Sequence, residues 1–201
     1  MKKLQLCLLA NFLILTPVIG QTMFKINQYN IYYNKTFMPV GTLFANHQFN
    51  SKWSIASYFY VNATRWKEQA TDPSWGEGLA GFTYSPVPGV ALGVLAGLQS
   101  NEEQIFRFSP IVLVNKNRFS FFGAFEFGGQ RTRWDAMGFY VTKSFKFGAE
   151  LIRYYKMYAA GPRLEFSFIK KQPVTVFYSA LWDWEGSKLA SMFGIYSSFS
   201  N

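Results

Sequence analysis

The feature that most constrains this chain is a two-residue alternation near its middle. In Arg118–Phe127, Phe119, Phe121, Phe125 and Phe127 fall on one side of an extended strand, and Ser120, Ala124 and Glu126 on the other. Successive strand side chains point to opposite faces, whereas a helix would scatter these phenylalanines around its girth. The preceding stretch, Ile105–Val114, sets Phe106, Phe108, Pro110, Val112 and Val114 against Arg107 and Ser109. Asn115-Lys116-Asn117-Arg118 between them reads as a polar turn. Placing Val114 opposite Phe119 puts Phe108 opposite Phe125 and Arg107 opposite Glu126. Apolar then meets apolar, and the two charges pair on the other face.

The same pattern recurs along the chain. Strand-like segments are Met23–Tyr33, Phe37–Phe49, Trp53–Ala63, Glu77–Ser85, Val90–Gln99, the central pair, Trp134–Val141, Phe145–Tyr155, Pro162–Ile169, Pro173–Trp184 and Leu189–Phe199. No helical periodicity interrupts them. Tight turns at Asn50-Ser51-Lys52, Pro86-Val87-Pro88-Gly89 and Thr142-Lys143-Ser144 alternate with longer loops such as Thr64–Gly76 and Gly128–Arg133. Ala159-Ala160-Gly161 reads as a further turn. This predicts an all-β, up-and-down antiparallel meander of about twelve strands.

Aromatic residues make up 20% of the chain and charged ones 15%, yet the mean hydropathy is +0.00. Alternation explains this, because half of each strand is greasy and half is not. Most segments match the nine to eleven residues that a tilted strand needs to cross a bilayer. A greasy meander must also close on itself, since an open edge in lipid would leave backbone groups unsatisfied.

The N-terminal twenty residues have a different character. Lys2 and Lys3 precede an apolar run, Leu4–Leu15, and Val18-Ile19-Gly20 offers small residues at a cleavage point. Residues 1–20 therefore read as a signal peptide, and 21–201 as the barrel domain. The one cysteine, Cys7, lies in the leader, so the expected mature chain has neither a disulfide nor a thiol site. The net charge of +9 includes Lys2 and Lys3. No nucleic-acid motif accompanies the remaining positive charge, and a nucleic-acid partner is not expected.

With its leader, alternating greasy positions, Trp and Tyr near strand ends and a last strand ending at Phe199, the chain resembles bacterial outer-membrane β-barrels as a class. The resemblance implies residence in the outer membrane, with both termini in the periplasm. It also implies contact with outer-membrane lipids and insertion by a barrel-assembly machine that reads the terminal aromatic strand. Ser200 and Asn201 follow Phe199, which displaces that aromatic by two residues.

Ionisable groups are expensive in lipid, so those on the small-residue faces should point inward. The expected lumen charge network is Arg107, Glu126, Glu150, Arg163 and Glu165, with Asp135, Lys146 and Asp183 as further members. The tight turns and their flanks carry Lys52, Lys116, Arg118, Lys143, Lys170 and Lys171 without an acid, a cationic rim suited to anionic headgroups. The one histidine, His47, is followed two residues later by Phe49, where the resembling lipases and deacylases place a serine. No cluster has metal-ligand composition, and no cofactor is expected. The reading is a structural or small-solute channel with a narrow, charge-lined lumen. The alternatives are a lipid-modifying barrel enzyme and a soluble, secreted, lipocalin-like binding barrel. The last would place aromatics inside and charges outside.

Overall fold

In the computed structural model, described over residues 21–62, 75–100, 105–129, 132–154, 157–168 and 174–200, the chain forms twelve strands. The expected leader lies outside the described residues. The strands are β1 Gln21–Tyr33, β2 Thr36–Gln48, β3 Trp53–Asn62, β4 Trp75–Val87, β5 Val90–Gln99 and β6 Phe106–Lys116. There follow β7 Phe119–Gly128, β8 Arg133–Val141, β9 Phe145–Tyr154, β10 Met157–Ser167, β11 Val174–Asp183 and β12 Lys188–Ser200. Each pairs antiparallel with its neighbours in sequence, and β1 closes on β12 from Met23↔Ser200 to Tyr32↔Ser191. Closure leaves no open sheet edge, the condition that a lipid-facing sheet must meet.

The alternation sorts side chains into two environments. On β7, Phe119, Phe121, Phe125 and Phe127 are exposed on the outer face, Phe119 at 64%. On β9 and β10, Phe147, Leu151, Leu164 and Phe166 face outward, while Glu150, Arg163 and Glu165 are buried within. Aromatic pairs tie neighbouring strands on the outside, including Trp53–Tyr84 at 4.9 Å and Tyr140–Phe147 at 5.4 Å. This is the reverse of a soluble binding barrel, which excludes the lipocalin-like alternative. An apolar band of this extent belongs against lipid rather than water.

Several local expectations are corrected. The β6–β7 hairpin pairs Lys116 with Phe119 and Val114 with Phe121, so Arg107 lies opposite Gly128 and not Glu126. The turn is the shorter Asn117-Arg118, and Asn117 takes φ 55, a conformation asparagine tolerates. Ala159-Ala160-Gly161 is no turn but the upper part of β10. Ala159 is fully buried, and a side chain at Gly161 would collide with the Ala180 carbonyl on β11. The small residues there serve close strand contact. Strand β4 also starts earlier than expected, because Trp75 and Glu77 are both drawn into the interior. It extends to Val87 through a register shift after Tyr84, and Pro88-Gly89 make the turn, with Gly89 at φ 81.

The interior is largely filled. Ile31, Val40, Ile152, Met157, Leu181 and Met192 belong to one apolar cluster inside the barrel, and Ala56, Leu79, Leu95 and Ile111 form a second. The charged groups are set around these clusters.

Candidate lumenal site

Call the end of the barrel carrying β1's start and β12's finish the terminal end, and the other the far end. Five inward positions near the far end form one polar cluster: Glu77 of β4, Gln99 of β5, Arg107 of β6, Glu126 of β7 and Arg133 of β8. Arg133 is its hub. Its Nη2 donates to Glu77 Oε2 at 2.6 Å and to Gln99 Oε1, and its Nε lies 3.3 Å from Glu126 Oε2. Arg107, with no exposed surface, donates to Gln99 Oε1 at 2.7 Å and to the Gly128 carbonyl, with Glu77 Oε2 at 3.9 Å. The expected Arg107–Glu126 pair is thus replaced. The hairpin register moves Arg107 past Glu126, and Arg107 turns to Glu77 and Gln99, while Glu126 meets Arg133, its directly opposed residue on β8.

A second cluster lines the wall from β9 to β12. Arg163 Nη1 donates to Glu150 Oε1 at 3.0 Å, and its Nε donates to Glu165 Oε1 at 2.9 Å. Its guanidinium sits 3.8 Å from the centre of the Phe177 ring. Ser179 Oγ donates to Glu150 Oε2 at 2.5 Å, and Tyr196 Oη to Glu165 Oε2 at 2.7 Å. Lys146 Nζ lies 3.4 Å from Glu165 Oε2, and Lys25 Nζ lies 4.0 Å over the Tyr196 ring. Buried charges persist only when paired and hydrogen-bonded, and Arg163, Glu150, Glu165 and Lys146 satisfy that condition.

Aromatic side chains cross the lumen between the clusters. Tyr154 Oη accepts from Tyr60 Oη at 2.8 Å and from Asn62 Nδ2 at 2.7 Å. Tyr154 is on β9, while Tyr60 and Asn62 are on β3, six strands away in a ring of twelve. The contact therefore spans opposite walls. Trp75 stacks on Tyr60 at 4.6 Å, and the Arg133 guanidinium lies 4.2 Å over Trp75. A cavity of ≈ 70 Å³ remains beside this crossing, bounded by Tyr29, Tyr58, Tyr60, Tyr154, Glu126 and Asp135 among others.

The remaining candidates divide clearly. Asp183 is buried but committed to its turn, accepting from the backbone N–H groups of Tyr158 and Gly186 and from Tyr33 Oη. Lys52, Lys116, Arg118 and Lys143 are exposed at the terminal end, and Arg118 donates to Tyr140 Oη at 2.8 Å. Lys170 and Lys171 lie outside the described residues. His47 is at the terminal end on the outward face, with Nδ1 2.8 Å from Thr22 Oγ1 and Nε2 without a partner. Glu77, Gln99, Arg133 and Lys25 were not among the expected network. The spacing Arg133-x-Asp135 repeats that of Arg163-x-Glu165, and two charges two residues apart on one strand face are the signal that would have found Arg133.

No sequence-family model matches this chain, and no curated protein matches it in sequence. In three dimensions it is similar to the KdgM porin, with a TM-score of 0.56 at 13% identity over 87% of this chain and 99% of the other. It is also similar to outer membrane phospholipase A from Escherichia coli, with a TM-score of 0.50 at 9% identity over 92% and 93%. At such identities the likeness is one of fold. The chain has the fold of the bacterial outer-membrane β-barrels, and its outward apolar band suits that membrane.

Proposed function

We propose that this outer-membrane barrel is a passive channel for small solutes, with a lumen too narrow for general traffic. The observation that carries the reading is the interior itself. Ion-paired charges line both walls, and a cavity of ≈ 70 Å³ lies beside the Tyr154–Tyr60–Asn62 crossing. A purely structural barrel has no need of a polar lumen, because apolar packing of the same volume is no less stable than buried ion pairs.

The chain enters the membrane by way of a cleaved leader, residues 1–20, with the terminal end in the periplasm. Its last strand presents Phe199 outward at that end, where an assembly machine would read it. The exposed Lys52, Lys116, Arg118 and Lys143 meet anionic headgroups of the inner leaflet.

Planar-bilayer recording tests the channel. Wild-type protein gives small, resolved conductance steps, and Tyr154→Ala enlarges them by opening the crossing. No current above the bare bilayer from either protein overturns the proposal.

One contact favours a second reading, a lipid-modifying barrel. Thr22 Oγ1 and His47 Nδ1 stand 2.8 Å apart on the lipid face. A hydroxyl nucleophile needs its imidazole oriented by a third group, and Nε2 meets none among the described residues. Phospholipid hydrolysis that is lost in His47→Ala would establish this reading in place of the channel.

A further inference from the structure

We infer that the outer face of β1 and β2 is a contact with a second copy of this chain, centred on Gln28 and closed by amide hydrogen bonds across a two-fold axis. This goes beyond the channel reading and does not depend on it.

Strand β1 alternates Asn27, Tyr29 and Ile31 inward with Ile26, Gln28, Asn30 and Tyr32 outward. Asn27 donates to Thr42 Oγ1 at 2.8 Å inside the barrel, and Tyr29 and Ile31 border the inner cavity. Ile26 and Tyr32 are exposed on the outer surface. Gln28 between them is exposed as well, near the middle of the strand and so deep in the lipid-facing band. The side-chain amides of Gln28 and Asn30 have no hydrogen-bond partner among the described residues. Among those residues no other strand carries an amide or a charge at mid-height on its outward face. There β5 shows Leu92, Val94 and Leu98, and β7 shows Phe121 and Phe125.

Lipid tails offer an amide neither donor nor acceptor, and water is absent at that depth. An amide carries two N–H donors and a carbonyl acceptor, so a second amide complements it on both counts. Two copies of one chain insert in the same direction, and a two-fold axis relating them runs along the membrane normal. Equivalent residues then meet at the same depth, as an isologous contact requires. Gln28 faces its own counterpart, each N–H donating to the other's carbonyl. Asn30 does the same one step nearer the far end.

The shape of the surface allows the approach. Gly41 on β2 lies directly opposite Gln28, and a side chain built there would meet nothing within 4 Å. It leaves a notch beside the amide, with Val61 of β3 beyond it and Ile195 of β12 on the other flank of Gln28. Small residues let surfaces embedded in lipid come close enough for polar side chains to bond across them. Toward the far end the rings of Tyr32, Phe37 and Phe193 form a ledge, with centres 4.8 and 6.3 Å apart. An acyl chain could fill the notch but would leave both amides unmet, and a headgroup does not reach mid-bilayer.

Two measurements test the contact. Sedimentation equilibrium in a neutrally buoyant detergent should show wild type dimerising, with Gln28→Leu and Gly41→Phe each weakening association at least tenfold. Heat-modified gel migration checks that both variants fold. Cys7 is the sole cysteine, so an introduced one reports the contact in isolated outer membranes. Under oxidation Ile26→Cys should cross-link to a second copy, and Phe125→Cys on β7 should not. Adding Gln28→Leu to Ile26→Cys should cut the cross-link at least tenfold. A wild type that stays monomeric overturns the inference. So does a Gln28→Leu protein that associates as tightly as wild type, or a Phe125→Cys cross-link as strong as that of Ile26→Cys. Cross-linking of Ile26→Cys only to a different polypeptide overturns it too, in favour of another partner. If Gln28→Leu does not fold, the comparison of Ile26→Cys with Phe125→Cys decides alone.

Discussion

Replacing Arg163 by Met removes a guanidinium that bonds two carboxylates and packs over Phe177. The two carboxylates do not suffer equally. Glu165 keeps Lys146 at 3.4 Å and Tyr196 at 2.7 Å. Glu150, 1% exposed, keeps only the Ser179 hydroxyl among the described residues. Stranding one buried charge costs about 3–5 kcal/mol, and here the burden falls on Glu150. Glu150→Gln alone leaves Arg163 its bond to Glu165, and the amide can still accept from Ser179, so the loss is about 1–3 kcal/mol. The double variant carries no stranded charge at this position. Its loss should fall short of the sum by about 2 kcal/mol, within the range of contact couplings. Urea titration of protein refolded into bilayers, followed by tryptophan fluorescence, gives the four stabilities. Arg163→Met combined with Glu126→Gln, on the other wall, should simply add. A sum obeyed within about 0.5 kcal/mol by Arg163→Met and Glu150→Gln would refute the pairing.

Other outcomes follow from the same coordinates. Asp135→Asn keeps the shape and removes a partly buried carboxyl whose Oδ1 has no hydrogen-bond partner among the described residues, so it should stabilise the barrel by about 1–3 kcal/mol in the same urea assay; a loss of stability would mean Asp135 has a structural partner. Gly161→Val drives a side chain into the Ala180 carbonyl and should prevent refolding, whereas Gly41→Ala, with nothing within 4 Å of the added carbon, should refold as wild type. Cys7 is the sole cysteine, so single cysteines report sidedness: on intact cells maleimide should label Glu185→Cys and spare Lys116→Cys, and equal labelling would reject the orientation. Reversing Lys52, Lys116 and Lys143 to Glu should destabilise by up to about 1 kcal/mol each in anionic bilayers and hardly at all in neutral ones; the same loss in both would rule out the headgroup contact.

The outer surface was legible because its signal is local. Phe119, Phe121, Phe125 and Phe127 reveal their face through spacing alone, and the same rule places Arg107, Glu150, Arg163 and Glu165 inward before any strand is paired. Pairing is a different kind of information. A one-residue slip exchanges the two faces, but a two-residue slip preserves them. Val114 against Phe119 and Val114 against Phe121 satisfy the alternation equally well. What selects between them is the turn, where Asn117 at φ 55 closes a two-residue link, and the choice moves Arg107 away from Glu126. The run Ala159-Ala160-Gly161 misleads for a related reason: small residues fit a turn, but they also fit a wall where Gly161 must pass under the Ala180 carbonyl. Contacts across the lumen are further removed from sequence. Arg133 reaches Glu77 four strands away, and Tyr154 meets Tyr60 across the full ring. These partners are brought together by closure of the whole barrel, which no pairwise pattern contains. Asp135 shows the limit most sharply. Its parity on β8 makes it inward from sequence alone, but that its Oδ1 has no hydrogen-bond partner among the described residues emerges only with the closed barrel.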